Sequence, residues 1–276
     1  MAVLNSNLAQ AWTPEDYGKL IDLVLAEESI AFQAGTVVQT NSETVRFPML
    51  TADPAVGWYA ENSQISLTDP SNSELVITPK KVAGLTQSSN EAIEDSNPAV
   101  ATVIGSALAR SIAKKVDAAF FANTTTNGPS GLLSLTGINV VDTGTITWDS
   151  LDPIHQAKHD ALADGAKLTH IILAPDVALT LSKAKETEAS FKGLLDNVAD
   201  GVSLAGLKLL VSTNVAAGNA WAVDASQVIV AQRTGTKIIR SDQAAFDYDG
   251  VQIRATARIS WGFANPAGVV RLYDAA

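Results

Sequence analysis

Residues 97–122, NPAVATVIGSALARSIAKKVDAAFFA, form the most regular segment of this chain. Asn97 is a favourable N-cap, and Pro98 suits the first helical position, where its missing N–H group is not needed. The turn-forming run Asn-Gly-Pro-Ser-Gly at 127–131 then ends the pattern. A helix of about 25 residues, ~37 Å long, is therefore predicted over residues 98–122. Its larger apolar side chains recur every four positions, at Val100, Ile104, Leu108, Ile112, Val116 and Phe120.

Residues 41–88, just before this helix, predict a long two-stranded excursion. A polar middle, 61–73, contains the turn sequence Asp-Pro-Ser-Asn at 69–72. Arms of about fifteen residues would project ~50 Å. Because an isolated two-stranded ribbon is marginal in water, it must lie on its own body or on a neighbouring copy. The strand-like runs are 44–47, 56–59, 74–78 and 82–86, and Pro48, Pro54, Pro70 and Pro79 restrict them to edges or bends.

Downstream of the helix, the pattern first alternates between helix and strand and then becomes β. Thr147 is a possible cap for a helix through Leu162, and Pro175 opens a second helix through Lys185. Residues 251–259 alternate apolar and polar side chains, which predicts a half-exposed strand. The other predicted strands are 169–173, 207–212, 220–223, 228–231, 236–239 and 268–272.

Composition excludes several functional classes. The chain has 276 residues, a net charge of −10, no cysteine and three histidines. Without cysteine there is no disulfide, thiolate zinc site or cysteine nucleophile. The acidic balance argues against a general nucleic-acid binder, which needs a basic surface. Charged residues make up only 17% of the chain, below the usual share, which fits a protein that covers part of its surface with copies of itself.

The sequence offers no defensible catalytic site. His155 and His159 have the i, i+4 spacing of zinc ligands, but the glutamate of a metalloprotease motif is missing, and His170 is expected to be a core or rim residue. The run at 128–131 lacks the Lys-Ser/Thr of a phosphate-binding loop, and no Gly-x-Ser-x-Gly motif occurs. The acidic cluster at 91–95 favours the N-terminus of the following helix. We therefore expect no enzyme activity, no cofactor and no metal.

The N-terminal region carries no targeting signal. Residues 1–10 lack a basic segment and an apolar core, and no apolar run reaches the length of a membrane span, so we expect a chain without membrane association. A helix is predicted from Thr13, as N-cap, to Gly35, as C-terminal stop. It is either a surface helix of the body or an arm that packs on a neighbour.

The order of these elements resembles that of the major capsid proteins of tailed bacteriophages, which have the Hong Kong 97 phage-type fold. The family typically has an aromatic-x-x-Glu in its extended loop, a Pro-Lys-Lys/Arg entry into the return strand, and a Ser-x-Glu-x-x-x-Asp-Ser run before its long helix. The resemblance covers essentially the whole chain. Its residues are Phe47-Pro48, Gly57-Trp58-Tyr59-Ala60-Glu61, Leu75-Val76-Ile77-Thr78-Pro79-Lys80-Lys81-Val82-Ala83-Gly84, Ser89-Asn90-Glu91-Ala92-Ile93-Glu94-Asp95-Ser96 and Gly128-Pro129-Ser130-Gly131-Leu132-Leu133.

This resemblance implies an α+β fold with four units. Residues 1–40 would be an N-terminal arm, and 41–83 an extended β-hairpin loop. Residues 84–135 and 235–276 would form a peripheral domain with a long spine helix at about 98–122. Residues 136–234 would form an α/β axial domain. The chain would assemble into hexamers and pentamers of an icosahedral head that encloses double-stranded DNA without sequence-specific binding. It would be assembled in the host bacterial cytoplasm and would reside in the virion.

Several contacts and partners follow from the same resemblance. Some family members crosslink through a lysine of the extended loop, but this chain has no Lys or Arg between Arg46 and Lys80, so we expect non-covalent assembly. Because the chain starts almost at the arm, scaffolding would come from a separate protein, or this is the mature form. Portal and decoration proteins are further expected partners. The expected inter-subunit contact residues are Trp58, Tyr59, Glu61, Asp69, Lys80, Lys81, Arg110 and Lys114.

Three other functions stay open at this point. A bacterial compartment shell of the encapsulin type would share the fold and would need an inner groove for a cargo peptide. An α/β enzyme would need a cleft with convergent polar groups. A tail or adhesin module would be richer in β-structure and would lack the long helix.

Overall fold

The structure, a computed structural model, describes residues 25–52, 55–65, 67, 71–91, 99–145, 147–184, 196–198 and 201–275. Its helices are α1 (Ile30–Ala34), α2 (Ala99–Phe121), α3 (Asp152–Ala163) and α4 (Pro175–Lys183). Its strands are β1 (Thr36–Thr40), β2 (Val45–Ala52), β3 (Ser71–Ile77), β4 (Lys80–Ser89), β5 (Asn139–Asp142), β6 (His170–Leu173), β7 (Asp196–Val198), β8 (Gly201–Leu204), β9 (Leu207–Val211), β10 (Ala220–Val223), β11 (Val228–Ala245), β12 (Gly250–Phe263) and β13 (Val270–Tyr273).

A four-stranded sheet in the order β1-β11-β12-β4 carries the long helix on one face. Along β12, the predicted alternation is confirmed: Val251, Ile253, Ala255, Ala257 and Ile259 are buried, whereas the residues between them are exposed or partly exposed. The buried set faces α2, because successive side chains of a strand point to opposite faces. The two predicted strands at 228–231 and 236–239 are one continuous strand, β11.

Helix α2 confirms the predicted spine-length helix and packs its apolar side on this sheet. Ile112, Val116 and Phe120 are buried. Phe120 lies edge-on to the ring of Trp261 on β12, with 5.3 Å between the ring centroids. The predicted cap residues, Asn97 and Pro98, and most of the acidic cluster before them lie outside the described residues.

Strands β2 and β3 pair in antiparallel fashion and form a hairpin that leaves the body. Pro48 lies within β2, which is possible because each strand of a two-stranded ribbon has a free edge. The paired arms extend about 25 Å, half of the expected length. The strand predicted at 56–59 is wrong, since these residues have no regular secondary structure. Within the described part of the chain, no strand pairs with them, and their side chains are exposed.

The base of the hairpin lies on the second face of the four-stranded sheet. A Cβ atom on Gly262 of β12 would come within 2.8 Å of the Ile77 side chain and 3.0 Å of the Leu75 side chain. Glycine at this position therefore allows β3 to cross the sheet closely, and Ile77 is buried there.

The α/β part is a seven-stranded mixed sheet in the order β5-β13-β10-β6-β9-β8-β7. The predicted strands at 169–173, 207–212 and 220–223 are confirmed within about one residue. The strand predicted at 268–272 belongs to this sheet, where β13 pairs with β10 and β5, and not to the sheet of β11 and β12. Helix α3 begins at Asp152 with Leu151 at its N-cap, so Thr147 is not its cap; Pro153 fits the first turn. Helix α4 begins at Pro175 as predicted.

The segment before β1 is attached to α2 through one buried carboxylate. Asp117 accepts hydrogen bonds from the Ser29 hydroxyl at 2.6 Å and from the N–H groups of Ile30 and Ala31 at 3.1 and 3.2 Å. Burial raises the pKa of the Asp117 carboxyl, and these three hydrogen bonds act in the opposite direction. The contact fixes the start of α1 against the long helix.

Gly35 ends α1 at the predicted position but for a different physical reason. Its φ of −131° and ψ of 169° are extended, so it does not adopt the left-handed conformation of a glycine C-cap. A Cβ atom at Gly35 would lie 2.9 Å from the Val228 carbonyl oxygen and from a Val228 methyl carbon. Close approach to β11 therefore explains the glycine. The part of the predicted N-terminal helix before residue 25 lies outside the described residues.

We predict that Asp117→Ala lowers the free energy of unfolding by about 3 kcal/mol, because it leaves buried donors at residues 29–31 without an acceptor. Urea unfolding followed by circular dichroism measures the change. Ser29→Ala, which removes one of the three hydrogen bonds, should cost about 1 kcal/mol. Equal losses for the two variants would contradict the proposed role of the carboxylate.

Candidate inter-subunit surface

The loop at the end of the hairpin exposes large apolar side chains. All residues from 55 to 65 are exposed, and Trp58 is as accessible as in an extended peptide, at 105%. Val56 and Leu67 are each 94% exposed, and Ile65 is 71% exposed. A cluster of this kind on a projecting loop is typical of a surface that another molecule covers.

The loop has a defined local turn despite its exposure. The Ser63 N–H group and hydroxyl both donate to the Ala60 carbonyl, at 3.1 and 2.8 Å. Asn62 has a φ of 63°, a left-handed conformation that asparagine tolerates better than most residues. The turn places Glu61 at the tip of a short bend next to Trp58 and Tyr59.

The predicted contact residues on α2 are exposed. Arg110 and Lys114 are one turn apart and accessible, and Lys115 follows them. Since α2 covers the sheet with its apolar side, these cations lie on the sides of the helix that remain accessible. Their exposure is consistent with contact to an acidic neighbour.

Lys80 and Lys81 border a groove at the start of β4. The groove lies between β4, the end of α2 and residues 125–129. The Trp261 indole N–H donates to the Ser130 carbonyl at 2.6 Å, which holds the loop after α2 in place. Three lysines border the groove over an apolar floor: Lys80, Lys81 and Lys115 surround Val82, Val116, Ala119, Ile259 and Trp261.

Within one chain, the structure therefore divides the described contact residues into three sets. Trp58, Tyr59 and Glu61 share the loop, Lys80 and Lys81 share the groove border, and Arg110 and Lys114 share the exposed side of α2. Asp69 lies outside the described residues. The sequence prediction did not include Val56, Ile65 and Leu67 among the contact residues. The feature that could have indicated them is that each is an isolated apolar residue in an otherwise polar, non-periodic stretch.

The three histidines that the sequence offers give little support for a metal site within the described residues. His155 and His159 are exposed on α3, and no group of three potential metal ligands occurs among the described residues. His170 is half-buried, as expected of a core or rim residue, and its burial lowers the pKa of the imidazole, with Lys208 acting in the same direction.

No helix within the described residues is long and apolar enough to span a bilayer.

A family model described as the phage capsid family matches residues 12–273. No curated protein sequence matches this chain significantly.

Solved structures of a GTA capsid and of two phages have a similar fold. The capsid of a native GTA particle aligns with a TM-score of 0.72 at 19% identity, over 88% of this chain and 89% of that chain. A chain of Microbacterium phage Oxtober96 aligns with a TM-score of 0.73 at 17% identity, over 89% of this chain and 90% of that chain. A chain of Mycobacterium phage Bobi aligns with a TM-score of 0.70 at 18% identity, over 99% of this chain and 94% of that chain. These matches confirm the α+β capsid-type fold that the sequence resemblance implied.

The exposed loop predicts a specific pattern of proteolysis in the isolated subunit. Chymotrypsin should cleave after Trp58 and Tyr59 about tenfold faster than at the buried aromatic residues of the body, because exposed loop tips need no unfolding for cleavage. Mass spectrometry of early digestion products identifies the sites. First cleavage near the buried Phe120 would contradict the loop geometry.

Proposed function

This chain belongs to the phage capsid family, and we propose that its copies are joined through the exposed hairpin loop of one subunit lying on the next. It is a major capsid protein, and its function is structural: it forms the icosahedral shell of a phage head and resides in the virion. The matches give no support to the compartment-shell alternative. The proposal below concerns how the shell is held together.

The observation that carries the proposal is the full exposure of Trp58 on a hairpin that a single subunit leaves uncovered. Burying one tryptophan removes roughly 200 Å² from water, which is worth about 5 kcal/mol at 25 cal/mol per Å² before ordering costs. A two-stranded ribbon is marginal alone, so the same burial would also stabilise the hairpin. Both arguments favour a neighbouring subunit as the surface that covers the loop.

We infer that these contacts are non-covalent. The segment from 47 to 79 contains no lysine, so it offers no amine for a crosslink from the loop. Assembly would then depend on many weak contacts repeated by symmetry. Hexamers and pentamers are the expected units. The proposed division of each subunit is an N-terminal arm (1–40), an extended loop (41–83), a peripheral domain (84–135 and 235–276) and an axial domain (136–234), with the exception that β13 pairs with β5 and β10 in the sheet of the axial domain.

The remaining roles are proposals at the level of the particle. We expect a shell without catalytic activity that encloses double-stranded DNA without reading its sequence, because an acidic chain repels the phosphate backbone. Assembly in the host cytoplasm, with separate scaffolding, portal and decoration proteins, completes the expected scheme.

Expression of this chain, alone or with its scaffold, should give closed particles or their hexameric and pentameric precursors. Negative-stain microscopy and light scattering measure the size. A stable monomer under all conditions, with or without scaffold, would refute shell formation.

Deletion of residues 60–72 should leave the subunit folded and block closed particles, because it removes much of the exposed loop. Trp58→Ala should weaken assembly in the same direction, whereas Tyr248→Ala, an exposed aromatic on the body, serves as the control. Circular dichroism reports folding and microscopy reports assembly. Unfolding of the deletion variant would mean that the loop stabilises its own subunit.

A further inference from the structure

Five cationic side chains lie on the face of the four-stranded sheet that is opposite α2. We call it the basic face and define it by Lys81, Arg233, Lys237, Arg254 and Arg258. On β12, the residues that alternate with Arg254 and Arg258 are buried toward α2, so these two side chains point the other way. The strand registers place the other three beside them, on β4 and β11. The basic face is therefore a product of strand pairing.

Three of these cations form one row across the sheet. Arg233 of β11 lies directly opposite Arg258 of β12, and Arg258 lies directly opposite Lys81 of β4. Neighbouring strands are about 5 Å apart, so the three side chains leave the sheet within about 10 Å of one another. Side chains as long as those of lysine and arginine can converge from these positions on one small ligand above Arg258.

The next two rows of the face add positive charge and no carboxylate. In the second row, Lys237 lies beside Thr256, which is opposite Ala83 on its other side. In the third row, Arg254 lies between two apolar side chains. The three rows together thus contain five cations and no acidic residue.

The five cations have no counterion within the described part of the subunit, where none of them forms an ion pair. Glu74 belongs to β3, the strand that crosses the same face at Gly262, but it is paired with Arg46 at 3.0 Å. Like charges directly opposite one another destabilise paired strands. The row is therefore unfavourable until an anion neutralises it.

The chemistry of the row favours an anion with more than one charge. The guanidinium groups of Arg233 and Arg258 donate planar pairs of hydrogen bonds that match the oxygens of a phosphate group, and the Lys81 ammonium adds a point charge. A chloride ion or a single carboxylate neutralises only one of the three charges. A phosphate group carries close to two charges and has an oxygen for each of the three side chains.

We propose that Arg233, Arg258 and Lys81 form a binding site for a small phosphate compound, with Arg258 as the central residue. Lys237 and Arg254 lie about 7 and 13 Å further along the sheet and extend the site for a second phosphate group. The site goes beyond the structural role of the chain in a shell, since a single subunit contains all of its residues.

A free phosphate compound fits the site better than DNA does. The whole chain has a net charge of −10, so its surface repels a long duplex, whereas a small phosphate compound meets only the local charge of the basic face. The two exposed apolar side chains that flank Arg254, Leu85 and Ile239, also find no partner in a phosphate backbone.

Thermal unfolding of the unassembled subunit, separated by gel filtration, tests the site. Pyrophosphate at about 5 mM should raise the thermal midpoint of the wild-type chain by about 3 °C over sodium chloride of equal ionic strength. Arg258→Gln removes the central cation and should abolish most of this rise. The matched control, Arg240→Gln, removes the same charge from an exposed residue of β11 on the α2 side of the sheet and should keep the full rise.

The same experiment shows whether the variant folds. In sodium chloride, Arg258→Gln relieves the repulsion with both neighbours in the row, so its midpoint should equal or exceed that of the wild-type chain. If Arg258→Gln does not fold, Lys81→Gln decides, because Lys81 is an exposed residue on an edge strand. This second variant should reduce the rise as well.

Two results with pyrophosphate would overturn the site. One is the absence of any rise in the wild-type chain. The other is an equal rise in the wild-type chain, Arg258→Gln and Arg240→Gln, which would be a general effect of the salt on protein stability.

A short DNA duplex at the same phosphate concentration distinguishes the source of the phosphate groups. If the duplex binds the wild-type chain by fluorescence anisotropy, loses binding with Arg258→Gln, and pyrophosphate gives no rise, the face binds nucleic acid and the proposed site is overturned. Because all measurements use unassembled subunits, a failure of shell formation would leave their outcome unchanged.

Discussion

The packing of α2 across β12 is the constraint on which the rest of the subunit depends. Phe120 and Trp261 join the helix to the sheet, and Asp117 on the same helix holds the segment that leads into β1. Because the apolar side of α2 packs on one face of the sheet, the polar residues of β12 lie on the other face. That second face is where the hairpin base crosses and where the cations collect.

The hairpin shows why a capsid subunit is incomplete alone. A two-stranded ribbon buries little of its own surface, and here its loop exposes Trp58 instead of turning it inward. Only the base is fixed, through the close approach of Ile77 and Gly262. A subunit built in this way exposes an apolar surface that an assembly would cover.

Periodic elements were predictable because their signal is local. The spacing of Ile112, Val116 and Phe120 predicted α2, and the alternation from Val251 to Ile259 predicted the core of β12. The pairing of strands that are distant in the sequence was not predictable. Whether 268–272 joins one sheet or the other depends on which strands pair, and the wrong strand at 56–59 had β-type residues without a partner strand. Lys80 and Lys81 were predicted from the resemblance as contact residues, but the row that Lys81 forms with Arg258 and Arg233 depends on strand register.

The sequence by itself determined the order of elements, the long helix, the acidic hairpin without lysine and the family resemblance, because composition and short-range periodicity are properties of neighbouring residues. The tertiary structure decided which residues meet across long distances in the chain. It brought cations from three strands onto one face, set Gly35 against Val228, and left Trp58 in solvent. These outcomes follow from strand pairing and close packing, which join residues more than a hundred positions apart and leave no local trace in the sequence.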